Sequence, residues 1–339
     1  MTTTDACQPA VLPTGSRRFP ALLALFVGSG CAALIYEIVW FQLLQLVVGS
    51  SAESLGVLLG TFMGGMCLGS LLAPRLVSAG RHPLRVYAVL ELGIGIIGVL
   101  ILMVMPYVDH VYVAGIGHGQ GGIRLRGLVC AVLLLPPTVL MGATLPVMSR
   151  WVETTARGVS WLGLFYGGNI AGAVFGSLLA GFYLLRMHDV MVATWVAAGI
   201  NLAVATIALV LAGRGRWLRP APDGGFPELA PPAPGAWSVY VAIGVSGLCA
   251  LGAEVIWTRL LSLMLGGTVY TFSLILAVFL VGLGMGSSFG AMLCRRADAR
   301  TVLGTCQFLL AAAVAWSAFM LARCLPTGRS SSRWRAARG

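Results

Sequence analysis

Nine continuous apolar stretches divide the chain, near residues 20 to 47, 52 to 76, 84 to 106, 125 to 149, 158 to 185, 189 to 212, 237 to 265, 269 to 293 and 301 to 322. Each supplies the ~20 predominantly apolar residues needed to cross ~30 Å of hydrocarbon as a helix. Strands of a membrane barrel would alternate apolar and polar residues over ~10 positions, whereas these runs are continuous and rich in Leu, Ala and Gly. The expected class is therefore an all-α polytopic membrane protein with nine transmembrane helices. With 58% of residues hydrophobic and 10% charged, a water-soluble fold is excluded, since soluble chains carry about a quarter charged residues.

The net charge of +11 comes entirely from arginine, because the chain has no lysine. Nucleic acid is not an expected partner: the arginines fall between spans and form no aromatic-interleaved stripe. Their placement instead reports orientation. With the N-terminus inside, the inner segments carry Arg17, Arg18, Arg75, Arg81, Arg85, Arg150, Arg157, Arg214, Arg216, Arg219, Arg295, Arg296 and Arg300, against Arg124, Arg126 and Arg186 outside. The positive-inside rule predicts a cytoplasmic N-terminus, and the lipid bilayer is the expected partner. No A-x-A-type cleavage site follows the polar first 18 residues, so the first span is expected to be retained. The eight cysteines include no C-x-x-C pair, which indicates neither a zinc site nor a redox pair. We expect no cofactor, metal or catalytic residue in this chain.

Offsetting the sequence by 217 residues aligns Ser29–Ser70 with Ser246–Ser287 without a gap, and 15 of the 42 positions are identical. The pairs include Glu37 with Glu254, Trp40 with Trp257, Gly49 with Gly266 and Gly69 with Gly286. Six spans precede the second copy, so both copies start on the same side and the repeat is parallel, as in transporters built from two six-helix halves. This predicts a first six-helix lobe over 1–212, a cytoplasmic Pro/Gly/Arg-rich linker over 213–236, and a partial second lobe of three helices over 237–322. The Arg-rich tail, 323–339, would lie outside after nine spans, against the charge rule. We expect the second lobe to be incomplete, through truncation or a shifted frame.

Glu37, Trp40 and Leu44 share one helical face, and Glu254, Trp257 and Leu261 repeat it. An ionisable residue inside a span is a functional-site hypothesis by default, as a proton relay or a cation-binding carboxylate. Against that, Glu37 lies ~27 Å along a helix beginning near Phe19, at 1.5 Å per residue. This depth places it toward the outer interface, where a Glu meets water and Trp40 joins an aromatic belt. Arg259 is about 140° around the helix from Glu254, so any partner it has is on another helix. Glu91, only ~10 Å into its span, is expected to pair with Arg75 or Arg85. Asn169 is read as an interhelical hydrogen-bonding residue or a ligand contact.

Small residues at four-residue spacing form faces that let backbones approach: Gly65, Gly69 and Ala73, their counterparts Gly282, Gly286 and Gly290, and Gly168, Gly172, Gly176 and Ala180. The glycine-rich loop 115–122 lacks the flanking strand and following acidic residue of a dinucleotide site, and His110 and His118 are read as solvated loop residues.

The stretches SGCAALIYEIVW (29–40), GSS (49–51), FMGGMCLGS (62–70), RHPLRVYAVLELGIG (81–95), LPPTVLMGATLPVMSR (135–150), GLFYGGNIAGAVFGSLLAGF (163–182) and SGLCALGAEVIWTRLL (246–261) resemble the bacterial membrane proteins that fuse a major-facilitator-like helical region to a spermidine-synthase-like domain. One departure is Gln42, where that family has the arginine seen here as Arg259. The resemblance implies a major-facilitator-like bundle in the bacterial inner membrane, serving a cytoplasmic synthase domain or protein that is a Rossmann-type aminopropyltransferase. No such segment is present, and the eleven acidic residues are too scattered to line a polyamine pocket. The chain alone is expected not to catalyse aminopropyl transfer. The rival expectation is a transporter in which Glu37, Asn169 or Glu254 contacts a small cationic or polyamine-like solute.

Overall fold

The computed structural model describes residues 15–49, 51–77, 80–115, 120–153, 158–214, 236–293 and 297–324. Most of the inter-lobe segment, His118 and the tail arginines beyond Arg323 lie outside them. The described chain is helical: α1 (Gly15–Val48), α2 (Ala52–Leu76), α3 (Pro83–Gly115), α4 (Gln120–Glu153), α5 (Gly158–Leu179), α6 (Val190–Arg214), α7 (Ala236–Leu265), α8 (Val269–Leu293) and α9 (Ala299–Cys324). A π-helical turn, Ala180–Leu184, carries α5 on into Leu185–Met187. Among the described residues nine helices are long and apolar enough to span a membrane.

Residues up to Gly284 form one compact unit and those from Met285 a second. The first holds α1 to α7 and the start of α8. In the second, the Arg323 guanidinium at the end of α9 sits 4.8 Å from the Phe319 ring centroid, a cation–π contact of the kind a helix end at an interface uses.

Hydrophobicity alone does not hold helices together in lipid, so close packing must. The central helix is α1, with 72% of its span buried against 6% for α7. Its neighbours approach through glycine. A β-carbon at Gly172 would collide with the Val27 carbonyl, one at Gly176 with that of Cys31, and one at Gly30 with that of Asn169, which seats α5 along α1. On another side of α1, a β-carbon at Gly28 would come 2.7 Å from a methyl of Val204 in α6. In the same way α2 rests on α4, where Gly65 faces Thr138, Gly69 faces the Val139 carbonyl, and Gly142 faces that of Met66. Arg150, near the end of α4, donates to the carbonyls of Val77 (2.7 Å) and Pro74 (2.8 Å). It thereby satisfies acceptors that the C-terminus of α2 leaves open.

The second copy of the small-residue face differs. At Gly282, and at Gly286 and Gly290 in the second unit, nothing lies within 4 Å of an added β-carbon among the described residues. The glycines there are alike in sequence, but at Gly282 no described helix is seated in the way that α4 is seated at Gly65.

The two turns after α1 and α7 match closely. Gly49 and Gly266 adopt φ of 87° and 94°, the only positive values among the described residues, a backbone region that suits glycine. Two residues on, a hydroxyl caps the next helix: Ser51 Oγ accepts from the Ser54 amide at 3.1 Å, and Thr268 Oγ1 from the Thr271 amide at 3.4 Å.

Candidate functional site

Along α6, small and polar residues face inward, among them Ala193, Ala197, Asn201, Ala205 and Ala208, while Trp195, Leu202 and Leu209 are exposed. α3 follows the same logic, burying Tyr87, Ala88, Glu91 and Ile94. These two inward faces meet α1 and create a first buried polar cluster. Ser29 of α1 donates to Glu91 Oε1 at 2.6 Å, and the Tyr87 hydroxyl, one turn before Glu91, donates to the Leu25 carbonyl at 3.3 Å. Glu91 is 1% exposed, so the expected pairing with Arg75 or Arg85 is corrected: both arginines are exposed, whereas Glu91 occupies the helix face turned toward α1.

Asn201 extends this cluster. A β-carbon at Gly95, one turn beyond Glu91, would lie 3.5 Å from that of Asn201. Neither the amide oxygen nor the amide nitrogen of Asn201 has a hydrogen-bond partner among the described residues. The residue was missed at the level of sequence because an asparagine inside an alanine-rich span carries no motif. Its signal was the two-sidedness of that span, with alanines on one face and large residues on the other.

The second cluster contains Glu37 and Glu254. Both are 2% exposed, and Trp40 is 1% exposed, so the expectation of a water-reaching Glu37 with Trp40 in an interfacial belt is corrected. Distance along the axis carries no information about neighbours, and α1 is enclosed by other helices around these residues. Trp40 stacks on Tyr36 with centroids 5.0 Å apart and packs against Phe62 at 6.5 Å. Glu254 of α7 is close enough to Glu37 to act on it electrostatically. Glu37 Oε1, Glu254 Oε2, the Trp40 indole nitrogen and the Thr258 hydroxyl are buried without hydrogen-bond partners among the described residues. Thr258 follows Glu254 by one turn and shares its face.

In the second copy, Trp257 is half-buried and Arg259 exposed. Asn169 donates to the Phe26 carbonyl at 3.2 Å, an interhelical bond between α5 and α1. Among the described residues no group of three or more His, Cys, Asp or Glu is placed to hold a metal ion.

An ionised carboxylate buried without a partner is costly by several kcal/mol or more. Two within electrostatic range of one another add mutual repulsion to that cost, which a proton or a cation would relieve. The arrangement offers two carboxyl groups, a hydroxyl one turn away and adjoining aromatic rings. That chemistry fits a site for a cation or for protons.

No family model matches the chain, and no solved structure matches it. Among curated proteins it is similar to polyamine aminopropyltransferase 2 of Streptomyces coelicolor, 29% identical over 227 residues. The chain is a distant homologue of a polyamine aminopropyltransferase. The match takes in 62% of this chain and 38% of that protein, so the chain spans well under half the length of the curated relative.

Proposed function

We propose that this chain is the membrane region of an integral membrane protein related to polyamine aminopropyltransferases, which anchors or serves a cytoplasmic synthase domain or protein. The similarity to the Streptomyces enzyme carries the reading, taken with the nine helices able to span a bilayer. In it, aminopropyl transfer belongs to the partner, and the chain supplies attachment and position in the bacterial inner membrane, with its N-terminus cytoplasmic. Two assays test it. The purified chain, given decarboxylated S-adenosylmethionine and putrescine, forms no spermidine. Co-expression with the remaining part of the Streptomyces enzyme brings that part into the membrane fraction. Spermidine formation by the chain alone, or a partner that stays soluble, ends the reading.

The buried Glu37–Glu254 pair favours a second reading, a major-facilitator-like transporter of a small cationic or polyamine-like solute. Its parallel lobes would move about a central path, with the two carboxyl groups contacting the cation. Proteoliposomes holding the chain should take up putrescine, and Glu37→Gln or Glu254→Gln should abolish uptake. Absence of uptake by the unaltered chain removes this reading.

A further inference from the structure

We propose that a proton held on the Glu37–Glu254 pair fastens α7 to α1, and that loss of this proton releases α7. The inference depends on how the pair is buried, and on neither reading of the protein's activity.

Closure of the pair selects the proton. Glu37 Oε1 and Glu254 Oε2 have essentially no surface open to water and accept from no donor among the described residues. An ammonium or a metal ion would have to push side chains aside to reach them, whereas a proton on a carboxyl oxygen needs no added room. Protonation also turns one acceptor into a donor, which two unpaired acceptors within electrostatic range of one another lack. The charged group acting on Glu37 is Glu254, and no basic side chain among the described residues acts on either carboxyl. Beside Glu37 on α1 stand Tyr36 and Trp40, with Phe62 of α2 packed against Trp40. From α3, Glu91 acts on Tyr36, but its own carboxyl is held by Ser29.

Little else secures α7. Among its described residues only Glu254 and Thr258 are fully buried, and Val255 packs partly against the core around α1. Large apolar residues such as Leu248 and Ile256 face outward. An ionised pair gains solvation only where water reaches it, and that requires α7 to move off α1. Because lipid is as apolar as the helix surface, the movement forfeits little hydrophobic energy. The docked state thus keeps a proton that the released state gives up. Docking is favoured at low pH and weakens as pH rises, by up to about ten-fold in the equilibrium per pH unit for one proton.

Cysteine labelling reads the docking. The full chain carrying Thr258→Cys, held in lipid nanodiscs, is reacted with a charged maleimide, and labelling at residue 258 is located by mass spectrometry. Each rate is divided by that of the same cysteine in a Glu37→Gln/Glu254→Gln background at the same pH. This ratio cancels the thiol's own pH dependence, and the amides keep a donor at every pH. Between about pH 6 and about pH 8 the ratio should rise about ten-fold or more, and Glu91→Gln should leave the rise intact. Val255→Cys, adjoining Glu254, should respond in the same way, which covers a failure of Thr258→Cys to fold. In the unaltered chain, which needs no variant to fold, the infrared carbonyl absorption of protonated carboxyl groups should fall over the same pH range. A flat ratio at both cysteines, a rise lost with Glu91→Gln, or an unchanged infrared absorption overturns the proposal.

Discussion

At Glu37 and Glu254, two carboxyl groups 217 positions apart in the chain share one buried environment. Unpaired buried polar groups oppose folding by about 1–3 kcal/mol each in mutational data, so a chain selected only for stability would replace them. The double variant Glu37→Leu/Glu254→Leu should therefore unfold at a higher temperature than the parent in detergent, while losing any amine uptake. A lower unfolding temperature would mean that the carboxyl groups hold the fold together. Glu91 is the opposite case, because its carboxylate is satisfied by Ser29. Ser29→Ala should lower stability by about 1–3 kcal/mol, measurable in the same thermal assay. The sequence showed that these glutamates sit inside spans, but it did not show what faces them. Ser29 and Glu91 are 62 residues apart, and no periodicity along one helix reveals a partner on another.

Among the elements, helix faces were the most legible feature. Spacing by four marked Gly168, Gly172 and Gly176 as a packing face, and each now meets α1. The same pattern also marked Gly282, Gly286 and Gly290, which meet nothing within 4 Å among the described residues. A stripe of glycine states that a backbone can approach, not that one does. Substitution separates the two situations. Gly172→Val should drive a side chain into the Val27 carbonyl and cost at least the 1–3 kcal/mol usual for overpacking, with loss of monodisperse protein on size exclusion. Gly167→Ala, where a β-carbon meets open space, should leave the elution profile unchanged and raise helix stability slightly. Arg150 makes a similar contrast. Its fork reaches two carbonyls of α2's last turn, so Arg150→Lys, with a single point charge, should recover only part of the stability that Arg150→Ala loses.

For the whole molecule, span count and span limits came directly from hydropathy, because bilayer thickness fixes helix length. Orientation has a charge-based expectation that a reporter can check. Phosphatase fused after residue 186 should be active outside the inner membrane and fused after residue 81 should be silent; the inverse pattern would reverse the assignment. What hydropathy could not foresee is the π-helical turn at Ala180–Leu184. One surplus residue in a helix rotates everything after it by about 100° relative to an uninterrupted α-helix. Gly176, before the turn, is committed to Cys31 of α1, and Gly181, within it, to Ser273 of α8. The insertion thus lets a single rod serve two different neighbours. Excising one residue from this turn would restore an ordinary helix and swing Leu185 away from the core cluster it now packs against, uncoupling two packing partners through helix register.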